Sequence, residues 1–328
     1  RRHGGGGRVA HLTGESTERA QILIVSAFAL GVLFVALAVI LNAAIFTENL
    51  ASRGETTGGE RVVDFRGAIE RAVGAILTAE NGNVTDGSPS YETLGDRIET
   101  GTATVRQFLG RQHARAGATG DLSVHSQENG SLIRQTDSGR NFTNASGARA
   151  DWTVAGDVTR TRAFALTVNR SQLPSACTRM TDCFVLAVTD SGGNTWRVSI
   201  NESNGVAVSV DNGTGSIGAC EPAQSDHVGV NITAGTVNGT ACSALNFTEA
   251  PDGLYDIAYR NGDRINGTYS LTVDNTSVST TAAHLSSSTD TDPSVTPAIY
   301  AVTVGYDYQT STLNYSSSVR IAPGETDG

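Results

Sequence analysis

The chain of 328 residues contains no lysine, so all 23 of its basic side chains are arginines, and 33 acidic side chains outnumber them. The resulting net charge of −10 excludes a basic nucleic-acid-binding protein, because such proteins neutralise phosphates with clustered cations. A P-loop nucleotide site is excluded as well, since that motif requires a lysine. Four cysteines are too few for a small domain held together mainly by disulfides.

Charged residues are also scarce, at 17% of the chain, compared with the usual quarter. An acidic balance without lysine is typical of proteins that work in molar salt, where charges are screened within about 3 Å. A GC-rich genome is a second explanation for arginine in place of lysine. Both explanations favour a halophilic archaeon as the source.

Motifs that carry chemistry are missing from the sequence. The six histidines have no metal-binding spacing, and neither HExxH nor GxSxG occurs. Gly213–Gly218 matches GxGxxG, but Ala-Cys-Glu-Pro follows it instead of a helix, which favours a hairpin loop. Asp290 and Asp292 are interpreted as part of a solvated acidic loop and not as calcium ligands. We therefore expect a protein that is not an enzyme and has no cofactor and no metal site.

One long hydrophobic segment predicts the location of the protein. Residues Ile22–Phe46 form 25 consecutive uncharged positions, and about 20 apolar residues suffice for a helix to cross a bilayer. We predict a retained transmembrane helix at residues 21–47. A cleaved secretory signal is the main alternative, since small residues such as Ala36 and Ala43 permit cleavage. A buried helix of a soluble domain is a second, weaker alternative.

The flanking charges predict the orientation of this helix. Residues 1–20 carry four arginines against two glutamates, whereas three glutamates face two arginines just after the segment. By the positive-inside rule, residues 1–20 form a cytoplasmic leader and the rest of the chain lies outside. The predicted location is the cell membrane, with a single span.

Acceptor motifs for N-glycosylation support an outside location. Of 19 asparagines, 13 begin an Asn-X-Ser/Thr triplet, and chance predicts about four because a fifth of the residues are Ser or Thr. Polar turns such as Asn-Gly-Thr explain a few of them. The predicted acceptors are Asn83, Asn129, Asn141, Asn144, Asn169, Asn201, Asn212, Asn231, Asn238, Asn246, Asn266, Asn275 and Asn314.

All four cysteines also follow the hydrophobic segment, where disulfides persist. They are Cys177, Cys183, Cys220 and Cys242. Three pairings are open; the most local one joins Cys177 to Cys183 and Cys220 to Cys242. Four buried free thiols are the alternative.

The outer part divides into a helical and a β-rich block. Residues 48–118 are predicted to form a short helical stalk. Its first helix has Val62, Phe65, Ile69, Val73, Ile76 and Leu77 on one side, with Arg66 and Glu70 spaced to pair. Its second helix runs from Tyr91 to about Ala114, with Leu94, Ile98, Val105, Phe108 and Leu109 on its apolar side. Residues 119–322 show alternating strands and glycine-bearing turns, which predict an antiparallel β-sandwich-like ectodomain, and 323–328 form a flexible tail. The fold class is thus a membrane-anchored α+β protein.

A short basic leader, an uncharged hydrophobic helix near the start of the chain and a β-rich, glycosylatable outer part together resemble archaeal pilins and pseudopilins. More narrowly, the segment ERAQILIVSAFALGVLFVALAVILNAAIFTENLASR (18–53) resembles the N-terminal block of uncharacterised single-pass surface proteins of haloarchaea. In pilins this helix implies removal of the leader and packing into a filament core. We expect a structural or assembly protein of the cell surface, whose partners are the lipid bilayer and other surface or pilus-type proteins. The alternative is a membrane-tethered binding or sensing module with an unknown ligand. Its only candidate surface is the tyrosine-rich segment 298–315, where core packing is the simpler explanation.

Overall fold

The computed structural model describes residues 59–83, 88–175, 182–202, 206–246, 251, 253–278 and 284–325. Residues 64–328 form one compact unit. The predicted leader (1–20) and transmembrane helix (21–47) lie outside the described residues. Within the described ranges, no helix is both long and apolar enough to cross a bilayer.

Two amphipathic helices open the described chain. Helix α1 comprises residues 59–82, and Phe65, Ile69, Val73 and Leu77 are its fully buried positions. Helix α2 spans Tyr91–Ala114 and begins at Ser90, whose Oγ accepts a hydrogen bond from the Thr93 backbone N–H at 3.1 Å. Both helices therefore follow the three- and four-residue spacing of their apolar side chains.

The apolar side of α2 is narrower than the sequence predicts. Leu94, Ile98 and Leu109 are buried, but Phe108 is 67% exposed, so its predicted place on the apolar side was wrong. Successive residues of a helix are about 100° apart around its axis. Because Leu109 is buried, the neighbouring Phe108 faces a different direction. The Phe108 ring consequently lies on the flank of the helix.

Fourteen strands are described. In chain order they are β1 (Thr119–Gln135), β2 (Trp152–Val158), β3 (Thr161–Asn169), β4 (Val185–Asp190), β5 (Thr195–Glu202), β6 (Val206–Asp211), β7 (Ser216–Cys220), β8 (His227–Asn231), β9 (Thr236–Val237), β10 (Thr240–Ala241), β11 (Tyr255–Arg260), β12 (Gly267–Val273), β13 (Ser294–Gln309) and β14 (Asn314–Ile321). Short 3-10 turns cover Arg170–Gln172, Ser243–Leu245 and Gly262–Arg264.

The strands form two antiparallel sheets. The larger sheet has the order β10-β9-β8-β3-β12-β1-β13-β14, and the smaller one has the order β2-β11-β4-β5-β6-β7. One hydrophobic core joins side chains of both sheets, with Phe142, Phe184, Tyr259 and Tyr269 packed ring against ring. The predicted antiparallel, β-sandwich-like α+β fold is thus confirmed.

The long strands β1 and β13 connect this sandwich to the helices. Ile133, near the end of β1, belongs to the sandwich core. At the other end of the same sheet, the Phe65 ring of α1 packs against Tyr306 and Tyr308 of β13. Gly120 makes room for this ring, because a Cβ there would lie 2.8 Å from Phe65 Cζ. The helices, expected to form a stalk, instead lie against the sheet as a layer of the same unit.

Candidate functional site

The predicted glycan acceptors differ in exposure. Seven are exposed, four are half-buried and two are buried. The exposed ones are Asn83, Asn129, Asn141, Asn212, Asn238, Asn246 and Asn314; the half-buried ones are Asn169, Asn231, Asn266 and Asn275; and the buried ones are Asn144 and Asn201.

Two acceptors three residues apart show the contrast most clearly. Asn141 is exposed, whereas Asn144 has no exposed surface. The Asn144 Oδ1 accepts hydrogen bonds from the Arg149 backbone N–H at 3.0 Å and from Ser146 Oγ at 3.2 Å. A glycan on Asn144 has no room in this fold, whereas Asn141 is exposed and its Nδ2 donates to Asp263 O at 3.2 Å.

One predicted disulfide lies in the described residues. Cys220 and Cys242 are bonded, with a Sγ–Sγ distance of 2.04 Å, which confirms that local pairing. The bond ties the end of β7 to the residue before the turn Ser243–Leu245. Cys183 is buried, and Cys177 lies outside the described residues, so the second local pairing stays a prediction.

Six charged side chains surround one buried tyrosine. The guanidinium carbons of Arg160, Arg162 and Arg320 lie 5.5, 5.7 and 5.7 Å from the centroid of the Tyr300 ring. Such distances are within the range of cation–π attraction. We call these four residues, with the carboxylates of Glu128, Asp274 and Glu325, the Tyr300 cluster.

The three carboxylates neutralise the three arginines of the cluster. Arg320 Nε donates to Glu128 Oε1 at 2.7 Å, and Arg320 also pairs with Glu325. Arg160 donates to Glu128 Oε2 at 2.9 Å and to Asp274 Oδ2 at 3.4 Å. The hydrogen bond from Arg320 lowers the pKa of Glu128, and the same bond raises the pKa of Arg320. The cluster therefore carries no net charge to attract an ionic ligand.

Arg162 uses its buried guanidinium to hold the end of the chain. It is 2% exposed and donates to the carbonyl oxygens of Pro323 at 3.2 Å and Ile299 at 3.1 Å. Burial lowers its pKa to about 10, so it stays protonated at neutral pH. The Ala163 backbone N–H donates to Gly324 O at 2.9 Å. Residues 323–325 are thus fixed to the sheet, although they begin the segment expected to be a flexible tail.

A groove of about 910 Å³ runs between α1 and the end of β14. Its walls are Arg66, Glu70, Arg71, Gly74, Ala75, Thr78 and Ala79 from α1, and 319–323 from β14 and the following turn. Among the described residues, Glu70 is the one carboxylate of the lining. Arg66 Nε donates to Glu70 Oε1 at 2.7 Å, which is the pairing that their spacing in the helix predicts. Apolar side chains form most of the remaining lining. The lining also contains three arginines, of which Arg66 and Arg320 are paired with carboxylates.

The weak motifs of the sequence have structural roles. Gly213–Gly218 lies at the turn between the antiparallel strands β6 and β7, as the hairpin interpretation predicted. Asp292 Oδ2 accepts the backbone N–H groups of Thr136 and Asp137 at 2.8 and 2.7 Å. Within the described ranges, no group of three or more His, Cys, Asp or Glu residues is arranged to hold a metal ion.

His113 provides a titratable contact between the helices and the sheet. Its ring lies 4.9 Å from the Phe65 centroid and 5.5 Å from that of Tyr308. Burial lowers the pKa of His113, so folding favours the neutral ring. The unfolded chain then binds the proton more readily, and the free energy of unfolding falls as the pH drops through the ordinary histidine pKa of about 6.5.

We expect His113→Phe to remove part of this pH dependence, because phenylalanine keeps the ring contacts and does not titrate. Thermal unfolding between pH 7 and pH 5 measures the effect. His227→Gln, a change at an exposed histidine, is the control and keeps the slope of the unmodified chain. Equal slopes for His113→Phe and the unmodified chain would contradict the assignment.

Comparison with known proteins identifies no relative: no family model, no curated protein and no solved structure matches the chain.

Proposed function

We propose that this chain is a non-catalytic structural or assembly protein of the cell surface, anchored by one transmembrane helix at residues 21–47. The observation that carries the proposal is the uncharged run Ile22–Phe46, which is long enough to span a bilayer. The arginine excess in residues 1–20 supports an orientation with the rest of the chain outside. The lipid bilayer is accordingly the first partner.

Two features of the ectodomain support an outside location. Eleven of the 13 acceptor asparagines are at least partly exposed, so most of them are accessible to a glycan. The disulfide between Cys220 and Cys242 suits an oxidising compartment. The protein is therefore proposed to be a surface glycoprotein.

The resemblance of the general plan of the chain to pilins adds a finer proposal, in which the anchor helix also packs with other surface or pilus-type proteins. The second candidate, a binding or sensing module, has less support. It relies on the four tyrosines of segment 298–315, but three of them, Tyr300, Tyr306 and Tyr308, are at most 2% exposed, and only Tyr315 is exposed, at 38%. Their rings serve the core and the helix–sheet contact.

Extraction of membranes at alkaline pH tests the anchor. The full chain is expected to stay in the lipid pellet, because a spanning helix resists conditions that release peripheral proteins. A variant without residues 21–47 is expected in the supernatant. Release of the full chain into the supernatant would contradict the proposal.

Glycopeptide mass spectrometry tests the surface location and the fold together. Trypsin cuts after Arg140 and Arg149, so Asn141 and Asn144 lie in one peptide, NFTNASGAR. We expect a glycan on the exposed Asn141 and none on the buried Asn144. The peptide thus contains its own control. A glycan on Asn144 would contradict the fold, and the absence of glycans from all 13 acceptors would contradict the surface glycoprotein.

A further inference from the structure

The described sheets end in four edge strands. These are β10 and β14 in the larger sheet and β2 and β7 in the smaller one. An edge strand has unpaired backbone N–H and C=O groups and is a template for another chain, unless it is short, bulged, charged or covered. The four edges differ in this respect.

Three of the edges are protected. β10 has only two residues. The pairing of β2 with β11 contains two register shifts, and Asp157 in β2 has a φ of 51°. β7 has a register shift against β6, is joined to Cys242 through Cys220, and contacts the turn Ser243–Leu245. None of these three offers a long, regular edge.

β14 is neither short nor bulged. Its eight residues pair with β13 from Asn314 to Ile321 without a register shift, and it contains no proline. Its one charged side chain, Arg320, is paired with Glu128 and Glu325. Two copies of this edge therefore meet without an uncompensated like charge, although the whole chain has a charge of −10.

One face of β14 is also incompletely covered. Tyr315 lies opposite Tyr308 of β13, whose ring packs against Phe65 of α1, so Tyr315 is on the helix side of the sheet. With the period of two along a strand, Val319 and Ile321 are on this side as well. Tyr315 is 38% exposed. Val319 and Ile321 line the groove beside α1 and are 8% and 6% exposed, so Tyr315 is the uncovered apolar side chain of this face.

We propose that a second copy of this chain pairs its β14 with the β14 edge, antiparallel and about a two-fold axis. Such an axis places residues of the same sheet face opposite each other. Centred on Ser317, the pairing sets Tyr315 opposite Val319 of the second copy; centred on Ser318, it sets Tyr315 opposite Ile321 of the second copy. Either register gives an aromatic–β-branched pair.

The groove has a role in both registers. The side chain opposite Val319 or Ile321 projects toward the side of the sheet where the groove lies, so the Tyr315 ring of the second copy covers its apolar lining. One contact between the two copies thus involves the free edge of β14, the exposed Tyr315 ring and the groove. This pairing needs only the ectodomain and does not depend on the anchor at residues 21–47.

Cysteine cross-linking of the full chain tests the pairing directly. A residue on the two-fold axis faces its own copy at about 4.5–5.5 Å between Cα atoms, which suits a disulfide. We expect Ser317→Cys or Ser318→Cys to give a covalent dimer on oxidation, reversed by reductant. Ser216→Cys, on the edge strand β7, is the exposed control and stays monomeric. If copies of the chain associate only through residues 21–47, neither Ser317→Cys nor Ser318→Cys forms the covalent dimer.

Sedimentation of the full chain in detergent supplies the second measurement. Tyr315→Glu is expected to weaken self-association at least tenfold, because it places a carboxylate in the apolar contact. Phe108→Glu, at the more exposed ring on α2, is the matched control and leaves association unchanged. In the cross-linking experiment, the proposal is overturned if neither β14 cysteine forms a covalent dimer, if Ser216→Cys forms as much dimer as they do, or if the β14 cysteines capture a different protein. In sedimentation, it is overturned if Phe108→Glu weakens self-association as much as Tyr315→Glu does.

Discussion

Replacing Phe65 with alanine is expected to lower the free energy of unfolding by about 3–5 kcal/mol. The ring is fully buried between the helices and the sheet, with centroids 4.9 Å from His113, 5.3 Å from Tyr308 and 6.1 Å from Tyr306. Truncation leaves a cavity at a site where Gly120 already provides the space for the ring. The helix layer would lose its central contact with β13.

Phe108→Ala is the matched control, since it removes the same ring from a 67% exposed position. It is expected to change the free energy of unfolding by at most about 0.5 kcal/mol. Chemical denaturation of both variants, followed by circular dichroism, measures the difference. Similar losses for the two variants would contradict the helix–sheet packing.

Replacing both Cys220 and Cys242 with alanine is expected to cost about 3 kcal/mol. The bond closes a loop with a sequence separation of 22, and closing a loop of this size restricts the unfolded chain by about that amount. It also fixes β7, an edge strand whose first four residues are exposed or half-buried.

Ile217→Ala is the control for this prediction because Ile217 belongs to β7 and is 42% exposed. We expect its effect to stay within about 0.5 kcal/mol. Denaturation of the double cysteine variant and of the unmodified chain gives the comparison. A loss no larger than that of Ile217→Ala would show that the disulfide does not stabilise the domain.

Local features of the fold were predictable from the sequence. Helix α2 begins at Tyr91 and ends at Ala114, as predicted. The polar segment before Tyr91 and the four-residue spacing of Leu94 and Ile98 were the basis of that prediction. The alternation in 195–201 corresponds to β5, and the most local pairing of Cys220 is present. These features depend on residues that are close in the chain, so periodicity and spacing report them directly.

Features that bring distant residues together were not predictable. Glu128 and Arg320 are 192 positions apart and meet only because β1, β13 and β14 are neighbours in the sheet. Nothing in the local pattern around Tyr300 indicates three arginines near its ring. The exposure of Phe108 has the same origin, since the position of α2 on β1 and β13 decides which flank is covered.

The most direct test of a surface protein anchored by residues 21–47 is mass spectrometry of the mature N-terminus, on membranes and on material sheared from intact cells. We predict that the mature chain retains residues 21–47. An intact leader with protein only in membranes identifies a lone anchor, and a cut before the apolar run with protein in the sheared fraction identifies a filament subunit. A mature chain that begins after residue 47 and is found free in the medium would contradict the anchor.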